Sequence, residues 1–146
     1  MPGDLELVRR LSADPRAILS VPRRDGSIHS SLVTAALVAD PVSGEACVGV
    51  AVRGSAVKLR CARRAGRATI VFRIDGEWVA IDGPVRLFGP DDPVEGLSIE
   101  LLPQLLRTIV SAAGRKLDDW SEFDTRMAAE RRAAFYVAPG RIMTNS

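Results

Sequence analysis

Histidine occurs once in this chain, at His29, and cysteine twice, at Cys47 and Cys61. A Ser-His or Cys-His nucleophile pair therefore has one imidazole to draw on, and no Gly-x-Ser-x-Gly turn accompanies it, which disfavours a hydrolase. The two thiols have no Cys or His at ligand spacing, so neither a metal site nor a disulfide framework is suggested, and reduced thiols are expected. Aromatic residues make up only 5% of the chain, so Val, Leu, Ile and Ala must fill the core. No apolar run approaches the ~20 residues of a membrane span. Met1-Pro2-Gly3-Asp4 carries an acid where a signal peptide needs positive charge. These absences point to the cytoplasm and away from a membrane partner. Neither a P-loop nor a Gly-x-Gly-x-x-Gly turn occurs, so the two familiar nucleotide-binding routes lack their glycines.

What is present is the composition of an ordinary globular protein, 47% apolar and 26% charged over 146 residues, expected to form one domain spanning 1–146. Eighteen of the 20 basic residues are Arg and the net charge is +2. That balance is too even for a nucleic-acid partner, which needs a concentrated basic face. Asp4 can cap a helix with Leu5, Val8 and Leu11 on one face, closed by Asp14-Pro15. Ala17–Val21 and Ser27–Val38 flank Asp25-Gly26, a strong hairpin signal. Asp40–Gly44 turns the chain into a third strand, Glu45–Val52. Ser55 reads as the cap of a short helix ended by Gly66. Arg67–Ile74 and Glu77–Phe88 flank Asp75-Gly76, with a bulge expected at Asp82-Gly83-Pro84. Leu97 to Val110 recurs at helical spacing with Pro103 inside it and Gly114 at its end. Ser121–Asp124 reads as a capping box for a helix through Arg132, and Ala134–Ala138 as a closing strand. Strands joined mostly by hairpins favour a barrel or sandwich, mainly β with flanking helices (α+β), over a doubly wound sheet.

From Ala46 through Ile74 there is no acidic residue, while Arg53, Lys58, Arg60, Arg63, Arg64, Arg67 and Arg73 are basic. A solvated basic helix face would account for this, and so would an anion held near a helix N-terminus. The carboxylates gather instead at Asp91, Asp92 and Glu95 and at Asp118, Asp119, Glu122 and Asp124, where they suit helix N-termini. His29, mid-strand, reads as a satisfied or exposed strand histidine, the alternative being a ring that faces a cofactor. No dedicated catalytic residue and no metal ligand is assigned.

Several segments in order resemble a known family: Ala17–Val21 with Asp25-Gly26, Lys58-x-Arg60, Arg67-Ala68-Thr69-Ile70-Val71 and Trp78-Val79-Ala80-Ile81-Asp82-Gly83. Together they resemble the pyridoxamine 5'-phosphate oxidase-like, FMN-binding split β-barrel. Asp118-Asp119-Trp120-Ser121-Glu122-Phe123, with Met127, Arg131 and Arg132, is similar to its actinobacterial flavin/deazaflavin branch, which uses coenzyme F-420. The resemblance implies a homodimer with the cofactor in a cleft between subunits. It implies that Lys58 and Arg60 hold a phosphate, and that Ser31 and Val33, with Val50, Ala51 and Val52, line the ring. Ala56 stands where relatives often carry a base, with Arg53 placed to compensate, and Trp78 would reach over from the partner. The implied activity is a deazaflavin-dependent reductase moving hydride to a small unsaturated substrate. The alternatives are an FMN-dependent enzyme of the same fold and a non-catalytic flavin-binding protein. F-420, with a phosphate and a polyglutamate tail, suits the acid-free stretch better than FMN. The hydride chemistry would be the cofactor's, which agrees with the missing triad.

Overall fold

The computed structural model describes residues 2–145; Met1 and Ser146, the ends of the expected 1–146 domain, lie outside the described residues. The described chain runs α1 (Pro2–Leu11), β1 (Arg16–Pro22), β2 (Ile28–Ala39), β3 (Ala46–Val52), α2 (Val57–Ala65), β4 (Arg67–Ile74) and β5 (Glu77–Phe88). It continues α3 (Leu102–Ala112), α4 (Trp120–Ala129), β6 (Ala133–Val137) and β7 (Arg141–Thr144). The architecture is mainly β with flanking helices, as the hairpin signals imply. Six strands close in the order β4-β1-β2-β3-β6-β5, with β5 pairing back onto β4, and β7 lies beside β5. Every barrel pair is antiparallel.

Two strands of 12 residues each carry the closure. Residues 28–34 of β2 pair with β1, and residues 35–39 pair with β3. Residues 77–84 of β5 pair with β4, and residues 85–88 pair with β6. Each strand thus begins in one sheet and ends in the other, and the barrel splits wherever one of them changes partner. At the β5 change the chain plugs its own gap: the Ala138 N–H donates to the Pro84 carbonyl at 2.9 Å, and β7 then pairs with residues 79–82.

The bulge expected at Asp82-Gly83-Pro84 is this change of partner within a continuous strand. Gly83 is required there because a Cβ would stand 1.9 Å from the Ala138 carbonyl oxygen and 2.8 Å from the Gly140 nitrogen. Both expected hairpins form. In the first, the Ser27 N–H donates to the Asp25 carboxylate at 2.9 Å; in the second, Ile74 pairs with Glu77 across Asp75-Gly76.

Helix ends differ from the sequence reading by a few residues. α1 begins at Pro2, which leaves Asp4 in its first turn. Ala56, not Ser55, occupies the N-cap of α2, and no side chain caps it. Asp119 caps α4, accepting from the Ser121 and Glu122 N–H groups, so the helix starts before the expected capping box and ends at Ala129 rather than Arg132. The apolar run from Leu97 divides into a 3-10 turn at Ile99–Leu101, capped by Ser98, and α3, with Pro103 in its first turn. β6 begins one residue earlier than expected, and β7 is an addition to the expected strands.

Two apolar clusters share β3 and β6. Val48, Val50, Val52, Ala133, Phe135 and Val137 face the barrel interior, which also takes Leu19, Ile70, Phe72 and Ile81 and is stoppered by Val8 and Leu11 of α1. Cys47, Ala134 and Tyr136 face outward beneath Leu106, Ile109 and Val110 of α3 and Phe123 and Met127 of α4. Burial on both faces explains why β6 reads as an unbroken apolar run. Asp40 is the one buried charged residue among those described, and the Arg86 guanidinium bonds it at 2.9 Å.

Gly83→Ala should lower stability by ~2–4 kcal/mol, since backbone rather than a flexible side chain must give way. Gly76→Ala, with nothing within 4 Å of the added Cβ, should stay within about 0.5 kcal/mol of wild type. Urea unfolding of both variants checks the pair.

Candidate functional site

At the second change of partner no segment of chain fills the gap. Beyond the Ala35–Val50 pair β2 turns away toward β1, and the wedge left beside β3 is a cavity of about 370 Å³. That size lies within the ~300–1,000 Å³ usual for small-molecule sites. Leu32, Val33 and Thr34 form one wall and Val50, Ala51 and Val52 another, with Ile109, Val110, Phe123 and Met127 closing it from α3 and α4. Arg53, Lys58, Arg115 and Arg132 also line it, from four different parts of the chain.

The sequence-expected residues separate into two groups. Val33, Val50, Ala51, Val52, Arg53 and Lys58 meet at the cavity. Ser31 lies on the same strand face as Val33, and its Oγ is buried without a hydrogen-bond partner among the described residues. Ser31, Arg60 and Trp78 do not line it. Lys58 and Arg60 are two residues apart on a helix, about 200° around its axis, so they cannot share one face; Arg60 turns back to donate to the Ser55 carbonyl at 3.2 Å. Trp78, 37% exposed, stands beside Arg73 in the register of the β4–β5 hairpin. The acid-free stretch is also partly spent elsewhere. Arg63 binds Asp92 at 2.7 Å, and Arg64 donates to the Pro22 carbonyl at 2.9 Å.

Arg132 and Arg115 come to the cavity from sequence far outside that stretch, and only folding identifies them as its neighbours. Arg132 is held in place: Nη1 donates to the Ala51 carbonyl at 2.8 Å and Nε to Glu130 at 2.9 Å. Glu130 also takes Arg53 at 3.1 Å, and these cations hold its carboxyl below the usual range, the Arg132 hydrogen bond most of all. The strap is completed by backbone, with the Gly54 N–H donating to the Glu130 carbonyl at 3.2 Å. A Cβ at Gly54 would stand 2.7 Å from the Arg131 carbonyl oxygen.

Lys58 has no such partner. No carboxylate pairs with it among the described residues, and burial, then the nearby Arg132, push its amine below the ordinary lysine range. It sits one residue inside α2, whose N-terminus carries no side-chain cap. Two cations and a bare helix N-terminus facing one cavity are an arrangement suited to an anion. His29 is affected as well: burial, then Arg23 and Lys58, lower its pKa. Since a guanidinium only donates, the 3.2 Å contact of Arg23 with Nδ1 puts the ring proton of neutral His29 on Nε2. Among the described residues no cluster of His, Cys, Asp or Glu could hold a metal ion, and no helix is long and apolar enough to cross a membrane.

No protein-family model and no curated protein matches the chain. Solved structures do. A conserved hypothetical protein from Mycobacterium tuberculosis is similar over 96% of this chain and 82% of its own, at TM-score 0.69 and 14% identity. A pyridoxamine 5'-phosphate oxidase-related, FMN-binding protein from Nostoc punctiforme is similar over 98% of this chain and 80% of its own, at TM-score 0.62 and 12% identity. The heme storage protein HutZ from Vibrio cholerae is similar over 94% of this chain and 92% of its own, at TM-score 0.58 and 12% identity. The fold is that of the pyridoxamine 5'-phosphate oxidase-like split β-barrel.

An unpaired, half-buried cation costs stability until an anion arrives. Lys58→Met, which keeps the stem and removes the charge, should therefore raise the melting temperature of the ligand-free protein by ~2 °C, or about 0.5 kcal/mol. Phosphate should stabilise wild type more than the variant. Thermal melts with and without phosphate check both statements.

Proposed function

We propose that the chain is a cytoplasmic split-barrel oxidoreductase that holds a phosphate-bearing flavin-type cofactor in the β2–β3 cavity, as a homodimer. The observation that carries this reading is the unpaired Lys58 at the uncapped start of α2, opening onto a cavity with apolar walls. The residues fit such a group. Lys58 and the first N–H groups of α2 suit a phosphate, and the walls formed by Leu32, Val33, Val50, Ala51 and Val52 suit a flat ring. Held there in its reduced form, such a group would supply hydride for reduction of a small unsaturated acceptor, with the balancing proton from water.

The protein's own contribution is binding and orientation. Arg132, fixed by Ala51 and Glu130, presents a guanidinium that does not have to reorganise when an anion binds. The α3–α4 cover, with Phe123 and Met127 buried beneath it, keeps water from that side of the cavity. His29, neutral and hydrogen-bonded to Arg23, is not required as a base.

Coenzyme F-420 is the first reading of the cofactor and FMN the second. Of the cations that line the cavity, Lys58 and Arg115 have no carboxylate partner among the described residues, which favours a cofactor with more than one anionic group. Arg53 and Arg63 are already neutralised by Glu130 and Asp92, which weakens the advantage over a single phosphate.

The dimer reading rests on the outer face of the barrel. Leu32, Ile18, Val71, Ala80 and Met143 stand in one cross-strand row over β2, β1, β4, β5 and β7. Leu32 is 66% exposed and Ile18 42%, and the two are paired directly across β1 and β2, an adjacent apolar pair that suits an interface. Trp78 lies on the same face and would meet the partner.

Fluorescence titration with F-420 and FMN tests the cofactor. Lys58→Ala should weaken binding of either by ~1.5–3 kcal/mol, about tenfold to a hundredfold. If neither cofactor binds wild type, the reading falls, and binding without turnover of unsaturated acceptors would make the protein a carrier. Light scattering should show a dimer at micromolar concentration, and Leu32→Asp should dissociate it.

A further inference from the structure

We propose that Arg115 determines substrate class, and that the substrate carries a carboxylate on an apolar, unsaturated skeleton. This rests on the reading of the cavity as a flavin-type site, and it names the acceptor that the second half of the cavity would take.

The cavity has two cationic loci. Lys58 and Arg132 form one, close enough that Arg132 depresses the Lys58 pKa. Arg115 lines the same cavity from a different side, as an exposed residue that follows α3, whereas Lys58 enters from α2. It arrives from the opposite cover, immediately after Gly114 ends α3 in a left-handed turn with φ 91°. There its backbone N–H donates to the Val110 carbonyl at 3.1 Å, which fixes the base of the side chain. No carboxylate pairs with its guanidinium among the described residues, although Asp124 is nearby in sequence and is taken by Arg107.

The neighbours of Arg115 on the cavity wall are Ile109, Val110, Phe123 and Met127. An isolated guanidinium at one end of an apolar wall matches a ligand with a carboxylate at one end and a hydrocarbon body. Such a pair can be bidentate, and it discriminates strongly against an uncharged analogue. One phosphate on Lys58 and Arg132 leaves Arg115 at the edge of the cavity open to a second anionic group, which a substrate carboxylate would supply. The competing structural role is that of a cation at the C-terminal end of α3, favoured by the helix dipole alone.

Calorimetric titration of the cofactor-loaded protein with trans-cinnamate and with methyl cinnamate separates the alternatives. Cinnamate should bind at least tenfold more tightly than the ester. Arg115→Gln should abolish that preference while the F-420 and FMN dissociation constants stay within about twofold of wild type. Equal binding of acid and ester, or an acid preference that survives Arg115→Gln, would overturn the proposal. A loss of cofactor binding in Arg115→Gln would place Arg115 at the cofactor instead and overturn it too. Should wild type take up neither cofactor, the same titration on the ligand-free protein keeps the two readings apart. Failure of cofactor binding with a retained, Arg115-dependent acid preference would sink the flavin reading alone.

Discussion

The structure depends on two strands that each serve two sheets. A β-strand has two hydrogen-bonding edges, and β2 and β5 meet that limit by giving the first part of an edge to one neighbour and the rest of the strand to another. Everything that positions the cavity follows from how the two resulting gaps are treated. At β5 the gap is filled from the chain itself by residues 138–140, so tightly that only glycine fits at position 83. At β2 the gap is roofed by α3 and α4 and stays hollow. One barrel closure therefore provides both a structural seam and a binding cavity.

Charge is distributed along the same division. Over the outer surface, Arg and acid residues are matched into ion pairs that join distant elements: Arg10 with Glu77 ties α1 to β5, and Arg63 with Asp92 ties α2 to the loop after β5. Exposed pairs of this kind contribute little each. At the cavity the matching stops, because Glu130 is shared by Arg53 and Arg132, while the half-buried Lys58 and the exposed Arg115 line it without a carboxylate partner among the described residues. A protein that spends its acids on the surface and withholds them from one hollow has left room there for charge supplied from outside.

Much of this was legible in the sequence, and the reasons differ by element. Asp25-Gly26 and Asp75-Gly76 specify turns by local backbone preference, so the hairpins could be placed without tertiary knowledge. The run at Ala133–Val137 carries its apolar signal because both faces are buried. Lys58 stood out through an absence of neighbouring acids. The caps were misplaced because Asp119 and Ser121 are both capable of capping, and packing of Phe123 and Met127 against the sheet decides between them. Arg60 was grouped with Lys58 by adjacency in sequence, which a helix turns into opposition. Arg115 and Arg132 carry no local mark at all: they belong to the cavity through the β3–β6 register and the angle of α3, neither of which a single sequence displays.

The register of the second sheet also sets an order of events during folding. β1–β2 and β4–β5 are hairpins whose partners are neighbours in the chain, and closing them costs little loop entropy. β3 waits for β6: residues 48–52 pair with 133–137, across α2, the whole β4–β5 hairpin, α3 and α4. Pairings of such separation carry the larger loop-closure cost. The wall of the cavity made by Val50, Ala51 and Val52 is completed in that step, since Arg132, which bonds the Ala51 carbonyl, enters immediately before β6. The hollow is thus complete only once the β3–β6 pairing is in place, and a chain that ends with α4 lacks Arg132 and one flank of the β3 wall.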